Sequence, residues 1–574
     1  MALVLFVWTF IFICLFGLGW ACLRLATPQR VTEFKAPHPF LLSVVGLAAV
    51  IALGNCWAYF APIGMVLNGV VLGLAVLTLL IDRNAVSAYF QFWTGRSRTS
   101  GWPTKLAFAA LLFIALVKSA APTELLDEGD YYLPYIRWME NYRIIPGLAN
   151  IEGRLGFNSA FHMASAFFGL SWLVPGGSYD LNGLLLLLFG TWCLQALARL
   201  LKPGSTILMS DVMKLFCLFF LMRNMLTSSA ADLSNMIFSE TVLILFARKI
   251  EERSVARADA YYYLIVLIAV LTVTIKLNSV LLVLVPAFLT VRTLLADQRL
   301  PWTKLVVLAA VLVLPWLGRY TILSGYLVYP VYQVDLFNLD WKVPMALTEQ
   351  EYHYVAEFSK TNARPEESKQ LAEQRTMLDW VPQWFARENL MNRAMGLAML
   401  TALLALITYG IFYGRRLLRE QSDHMALGVI LVLGIGFWFA RNPAFRFGWS
   451  WGIILLAFCL HASMASPRLR PWLRVGTVAL LALSLVSNTV KTITESRMVL
   501  AHQFFVPASL PQANVRKATL GPLQVLISHD RQCWGEQPPC LPAGHQRRIQ
   551  PRGNTVKDGF RPDPASVQCL IGKH

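Results

Sequence analysis

Residues 2–23 read ALVLFVWTFIFICLFGLGWACL, with no acidic or basic side chain from end to end. As a helix rising about 1.5 Å per residue, this run covers a hydrocarbon core of roughly 30 Å. No basic residue precedes it and no small-residue cleavage site follows it. The expectation is a retained membrane span and not the core of a signal peptide. The remainder of the chain repeats the pattern: of 574 residues, 56% are hydrophobic and only 14% charged. Soluble domains carry roughly 25% charged residues, so one water-soluble core cannot house this sequence.

Fourteen windows are long and apolar enough to be spans: 3–23, 39–59, 63–81, 104–120, 181–199, 210–226, 232–248, 260–275, 279–296, 303–318, 396–413, 424–440, 447–463 and 473–491. The expected fold is therefore an all-α polytopic membrane protein of about 14 transmembrane helices. A further window, 158–175 (NSAFHMASAFFGLSWLVP), is apolar but carries His162 and several Ser. The positive-inside rule decides its placement. If it lies along the membrane surface as an amphipathic helix, every basic cluster between spans falls on the cytoplasmic side. These clusters are Arg24/Arg30/Lys35, Arg83/Arg96/Arg98, Arg199/Lys202, Arg248/Lys249/Arg253/Arg257, Arg299/Lys304, Arg415/Arg416/Arg419 and Arg468/Arg470/Arg474. The net charge of +17 is thus read as an orientation signal, and no nucleic-acid partner is expected.

This topology divides the chain into a four-span segment (1–120), an acidic loop with a juxtamembrane helix (121–180), central spans (181–318), a loop or lid (319–395), C-terminal spans (396–491) and a tail (492–574). Both termini and the three non-membrane pieces are expected outside. Six cysteines (Cys14, Cys22, Cys56, Cys193, Cys217, Cys459) fall in apolar spans and carry little information. Cys533 and Cys540, flanking a Pro-rich turn in DRQCWGEQPPC, are expected to form a disulfide in an oxidising compartment, with Cys569 left over.

The chemistry is expected in the loop that follows the fourth span, where Asp127, Glu128 and Asp130 precede Tyr131, Tyr132 and Tyr135. Carboxylates at a membrane boundary take a proton from a hydroxyl, hold a divalent cation (Mg or Mn) or orient a sugar, and Tyr rings stack on sugars. The same residues equally suit a helix N-terminus with an interfacial aromatic belt. Further along the loop, Arg154, Asn158 and His162 are candidate substrate contacts.

The segment LDEGDYYLPYIRW (126–138), directly after a span and followed by a polar loop and an apolar helix, resembles the first extracytoplasmic loop of GT-C glycosyltransferases. These include protein mannosyltransferases and the lipid A aminoarabinose transferase. The resemblance implies a GT-C-like fold, Asp127 as catalytic base, and Glu128 and Asp130 in support. It also implies a polyprenyl-phosphate-linked sugar donor and a glycan or glycolipid acceptor at the outer face of a bacterial inner membrane. The sequence departs from that pattern in placing the loop after the fourth span, where many such enzymes have it after the first. Four further stretches are GLANIEGRLGFNSAF (147–161), GRYTILSGYLVYPV (318–331), NPAFRFGWSWG (442–452) and CWGEQPPC with RGNTVKDGF (533–560). They are similar to an uncharacterised bacterial membrane family associated with surface-polysaccharide gene clusters.

Basic residues at membrane boundaries complete the candidate site. Lys276 and Asn278 lie between two spans with almost no loop, where a Lys snorkels or meets an anion such as a lipid phosphate. Arg441 and Arg446, and Arg319 with Tyr320, are further phosphate-binding candidates or interfacial anchors. Asp232 is expected to cap its helix, and Glu240 lies deeper in the same span. Among Trp341, Trp380 and Trp384 of the 319–395 loop, the choice between a lid over sugar and a structural cap stays open. Competing expectations are an O-antigen-type polymerase relying on Arg319, Arg441 and Arg446, a lipid-linked glycan flippase coupled through Glu240, and a structural part of an export complex.

Overall fold

A computed structural model describes residues 1–26, 37–123, 125–202, 204–220, 223–300, 302–464 and 466–564. Arg30, Lys35 and Cys569 lie outside the described residues. The chain is mostly helical. The first half runs α1 (Ala2–Ala26), α2 (Pro39–Trp57), α3 (Met65–Ile81), α4 (Arg83–Arg98), α5 (Trp102–Ser119), α6 (Leu133–Asn141), α7 (Ala160–Phe168), α8 (Leu181–Leu200), α9 (Met209–Phe219), α10 (Ala231–Glu251) and α11 (Ala260–Ile275). The second half runs α12 (Leu284–Leu295), α13 (Trp302–Ser324), α14 (Met345–Thr361), α15 (Ser368–Gln374), α16 (Met377–Arg387), α17 (Leu390–Glu420), α18 (Ser422–Arg441), α19 (Phe445–Ser463), α20 (Arg470–Glu495) and α21 (Arg497–His502).

Among the described residues, ten helices are long and apolar enough to cross a bilayer, or eleven if the bent pair α3–α4 counts as one span. The expected fourteen are therefore not all present as single crossing helices. The window 210–226 ends at Phe219 in a helix of 11 residues, and 260–275 forms a helix of 16. Both are short of the roughly 20 residues a span needs. α10 is long enough but is not among the ten, since it carries Asp232, Glu240, Arg248, Lys249 and Glu251. Instead it is buried along nearly its whole length inside the bundle.

The helices at the N-terminus pack unusually closely. A Cβ added to Gly19 would stand 2.0 Å from the Leu42 carbonyl oxygen, and one on Gly46 would stand 1.8 Å from that of Leu15. These two glycines let the α1 and α2 backbones touch, the device membrane helices use where lipid supplies no hydrophobic drive.

One end of the bundle carries the three non-membrane pieces, joined to one another by direct bonds. The Cys533 amide donates to the Gly129 carbonyl (2.9 Å), and the Phe560 amide donates to that of Pro146 (2.9 Å). Asn150 Nδ2 donates to the Trp341 carbonyl (2.8 Å), and Arg552 pairs with Asp340 (2.7 Å). The N-terminus belongs to the same end, where the Ala2 amide donates to the Phe504 carbonyl (2.9 Å). At the opposite end Arg24 pairs with Asp82 (2.7 Å) and Arg199 with Asp211, and Arg474 Nε donates to the Leu200 carbonyl (2.6 Å). The basic clusters named above, where described, lie in the connections at that opposite end.

The segment 158–175 forms no helix of spanning length, and Trp172 and Leu173 near its end are exposed. Its helix, α7, has nine residues, about 13 Å of length, and all nine are buried. The expected amphipathic helix shows no wet face: α7 packs against α2 and α6.

The tail departs from an all-α fold. β1 (Val515–Leu520) and β2 (Leu523–Ser528) form an antiparallel hairpin across Gly521, and β3 (Cys540–Pro542) adds in parallel to β2. β4 (Ile549–Pro551) and β5 (Phe560–Pro562) make a second, antiparallel pair. Leu523, Val525 and Ile527 point inward, the period-two alternation of a half-buried strand. Cys533 and Cys540 are disulfide-bonded.

Candidate functional site

The acidic loop begins where α5 ends. Residues 128–132 (EGDYY) form one π-helical turn running into α6, closed by the Leu133 amide donating to the Glu128 carbonyl. Such a turn inserts one residue into the helical count and re-aims the side chains around it. Here it sends neighbouring carboxylates in opposite directions.

Glu128 turns inward. It is 3% exposed, and its oxygens accept from the Ser229 amide (3.0 Å) and hydroxyl (2.6 Å). It thereby ties the loop to the segment just before α10. Burial pushes its carboxyl above the usual range, against the bonds from Ser228 and Ser229.

Asp127 and Asp130 turn the other way and share the Arg154 guanidinium, Nη1 lying 3.3 Å from Asp127 Oδ1 and 3.2 Å from Asp130 Oδ2. Arg154 is held between the rings of Tyr131 (5.2 Å) and Tyr354 (5.7 Å) and donates to the Tyr354 hydroxyl (3.3 Å). Of the three carboxylates Asp127 is the most open, its side chain 28% exposed against 13% for Asp130. Asp127 Oδ2 faces Arg446 at 3.6 Å, longer than a hydrogen bond. Burial pushes the Asp130 carboxyl up, with Glu152 adding to the shift and Arg154 and Arg531 opposing it.

The cluster continues in both directions as an alternating chain of charges. Inward, Arg446, in the first turn of α19, approaches Asp232 Oδ2 at 4.0 Å. Asp232, in the first turn of α10, pairs through its other oxygen with Lys276, whose ammonium also lies 4.0 Å from the centre of the Phe447 ring. Outward, Arg531 of the tail lies 3.7 Å from Asp130 and 3.3 Å from Glu152, and His545 stands 3.6 Å from Glu152. The sequence therefore brings together Asp127, Asp130, Tyr131, Arg154, Asp232, Lys276 and Arg446. Tyr132 lies against Tyr131 with ring centres 4.4 Å apart and planes tilted by 59°, and His162 lies behind it at 5.0 Å, with Nε2 buried and unpartnered.

Other candidates sit elsewhere. Arg319 is 2% exposed and donates to Asn55 Oδ1 and the Tyr135 hydroxyl, both at 2.8 Å. It braces α13 against α2 and α6. Tyr320 donates to the Phe157 carbonyl (2.8 Å). Asn158, in left-handed conformation (φ 48°), donates to the Trp316 carbonyl (2.8 Å). Arg441 lies over the Tyr352 ring (5.0 Å) at the rim, and Asn278 Oδ1 lies 3.4 Å from the Ser279 hydroxyl, which bonds Asn235 more closely (2.7 Å). Replacing Arg319 with Leu should lower stability by roughly 2–4 kcal/mol, since two buried partners lose a charged donor. Thermal unfolding in detergent reads this, with turnover per folded molecule kept within about twofold. Lost turnover at unchanged melting would instead place Arg319 in the chemistry.

The expectation of a cation at Asp127, Glu128 and Asp130 does not fit this geometry. Glu128 is spent on Ser229, and a guanidinium already occupies the space between the two aspartates. Among the described residues no group of three or more His, Cys, Asp or Glu side chains is arranged to hold a metal ion.

Sequence reading missed Ser229, Glu152, Arg531, His545, Glu351 and Tyr354. Glu152 and Arg531 did carry a signal, the one in the same short loop as Arg154 and the other two residues before the first disulfide cysteine. The tail acts as a strap: the Cys533 and Trp534 amides both donate to the Gly129 carbonyl (2.9 and 3.2 Å). Gly129 has no room for a side chain, since a Cβ would stand 2.3 Å from Gln532 Oε1 and 2.6 Å from the Trp534 ring. Replacing both cysteines with Ser should loosen this strap by roughly 2–3 kcal/mol, as expected for so short a closed loop. Faster hydrogen exchange at the Cys533 and Trp534 amides would report it; unchanged exchange would show that the strap holds without the disulfide.

Fold and site together define a helical integral-membrane protein whose loop-bearing end gathers carboxylates, guanidinium groups and tyrosines into one charged cluster. The chain belongs to the family described as "Domain of unknown function (DUF8201)", whose model matches residues 1–453. The match takes in every cluster member from Asp127 to Arg446 and stops before the tail that supplies Arg531 and His545. No curated protein and no solved structure matches the chain.

Proposed function

We propose that this protein is a GT-C-type membrane glycosyltransferase that moves a sugar from a polyprenyl-phosphate donor to a hydroxyl of an envelope glycan or glycolipid. The observation that carries the reading is the pairing of an open carboxylate, Asp127, with a partly exposed guanidinium, Arg446, 3.6 Å away at the ends of apolar helices. That is where a lipid-linked phosphate and a water-soluble acceptor meet.

Asp127 Oδ2 takes the acceptor proton as the oxygen attacks the anomeric carbon. The new C–O bond forms as the bond to the donor phosphate breaks, and polyprenyl phosphate leaves with the electron pair, inverting the centre. Arg446 binds the departing phosphate and stabilises its growing charge. Its place in the first turn of α19 adds the positive end of a helix dipole. Lys276 holds Asp232 in place and so keeps Arg446 aimed outward.

The basic clusters at the opposite end of the bundle support an orientation with the site on the extracytoplasmic face of a bacterial cytoplasmic membrane. The buried Arg319, whose two terminal nitrogens are taken by Asn55 and Tyr135, speaks against the polymerase reading. Glu240, wholly buried and eight residues, about 12 Å, along α10 from Asp232, has no part in the cluster.

The test is incubation of purified protein in detergent with a panel of polyprenyl-phosphate sugars and envelope glycolipid acceptors, following both glycolipid product and released polyprenyl phosphate. Formation of both in equal amounts supports the reading. Absence of both across the panel overturns it.

A further inference from the structure

Beside the charged cluster, on its water-facing side, the 149–154 loop, α14 and the tail enclose a cavity of about 260 Å³. Gly153, Arg154, Tyr329, Glu351, Tyr354 and Arg531 are among the residues that line it. Its volume falls just below the range of drug-sized ligand pockets, roughly 300–1,000 Å³, and suits one small polar unit. Gly153 keeps the wall open: a Cβ there would stand 3.0 Å from the Tyr329 hydroxyl and 3.5 Å from Glu351 Oε2.

The lining alternates donors with acceptors. Arg154 and Arg531 only donate, Glu152 and an ionised Glu351 only accept, and the Tyr hydroxyls do both. Glu351 Oε1 is buried without a hydrogen-bond partner. A buried polar atom left in that state marks a place for a partner from outside the chain. An apolar ligand would leave these groups unpaired, and a bare phosphate would face Glu152 and Glu351. A sugar's hydroxyls both donate and accept, and its ring faces suit Tyr329 and Tyr354.

We infer that this cavity is a saccharide subsite that holds one sugar unit of the acceptor, Glu351 and Arg154 bonding its hydroxyls, while a neighbouring hydroxyl reaches Asp127. The saccharide class follows from the lining; its role as acceptor rests on the transferase reading above. Arg154 is the link, since it lines the cavity while its Nη1 lies 3.3 Å from Asp127. A sugar seated there therefore lies next to the base. Burial pushes the Glu351 carboxyl up to about 7, with Arg154 opposing the shift and Glu152 adding to it. Near neutral pH it is able to give or accept a hydrogen bond.

Saturation-transfer NMR on the full chain in detergent tests this, with the methyl glycosides of glucose, galactose, N-acetylglucosamine and galacturonate as probes. At least one should receive saturation at its ring protons. Its affinity should fall about tenfold in Glu351→Gln and several-fold in Tyr354→Phe, changes of one atom or one hydroxyl that leave the packing intact. It should persist in Asp127→Asn. No binding by any probe, or binding unchanged in both cavity variants, overturns the subsite. Binding with this variant pattern by a protein that transfers no sugar would retain the saccharide site and overturn the transferase reading alone.

Discussion

Asp127→Asn should yield a folded protein that transfers sugar at least about 100-fold more slowly than wild type, the low end of what a general base contributes. The substitution keeps shape and volume, and the amide oxygen can still accept from Arg154. What disappears is the proton acceptor. Glu128 cannot take over, because both its oxygens are bound to Ser229. Asp130 is the more enclosed carboxylate, held between Arg154 and Arg531. Melting temperature and product formation measured on one preparation check the prediction. Normal transfer would remove Asp127 from the base role.

Arg446→Ala should cost a further class of interaction, the stabilisation of the leaving phosphate, with an expected loss of about 100- to 1,000-fold in kcat. Its contacts to Asp127 (3.6 Å) and Asp232 (4.0 Å) are loose enough to exchange for a phosphate. Asp232 keeps its pairing to Lys276 in the variant, so no buried carboxylate is stranded. Arg446→Lys should recover part of the rate, as a point charge replaces a bidentate fork. A rise in KM at constant kcat would assign Arg446 to donor binding in place of leaving-group stabilisation. An unchanged kcat and KM would leave it as an anchor.

The membrane character and most helices were legible because lipid demands long apolar runs and tolerates little else. The difference between fourteen windows and ten long apolar helices comes from the bent pair α3–α4 and from α9, α10 and α11, which are short or carry acidic side chains and are largely buried in the bundle. Hydropathy measures transfer to an apolar medium and does not distinguish lipid from protein interior. The same ambiguity applies to α7, whose Ser and His side chains suggested a wet face that protein neighbours cover instead.

At the site, the clustering of Asp127 and Asp130 was visible from spacing alone, and so was the value of Lys276 and Arg446 as isolated charges near the bilayer. What spacing could not show was the direction each carboxylate takes, because a single π-helical turn separates the fate of Glu128 from that of its neighbours. Nor could it show that Lys276 and Asp232, 44 positions apart, satisfy each other. Arg319 stayed ambiguous for a related reason: a lone Arg at a helix end looks like an anchor or an anion site until its buried acceptors on α2 and α6 are known. The tail was read for its disulfide but not for its hairpin, although LQVLIS beside Gly521 and Pro522 has the alternation of a strand pair.

The central claim is chemical, that this cluster transfers sugar from a lipid phosphate. Its most direct test is single-turnover transfer from a radiolabelled polyprenyl-phosphate sugar to a glycolipid acceptor, with wild type and Asp127→Asn compared in the same detergent. The account predicts one labelled product per wild-type molecule, with inverted anomeric configuration, and almost none from the variant. Equal product from both proteins, or product of retained configuration, would contradict it.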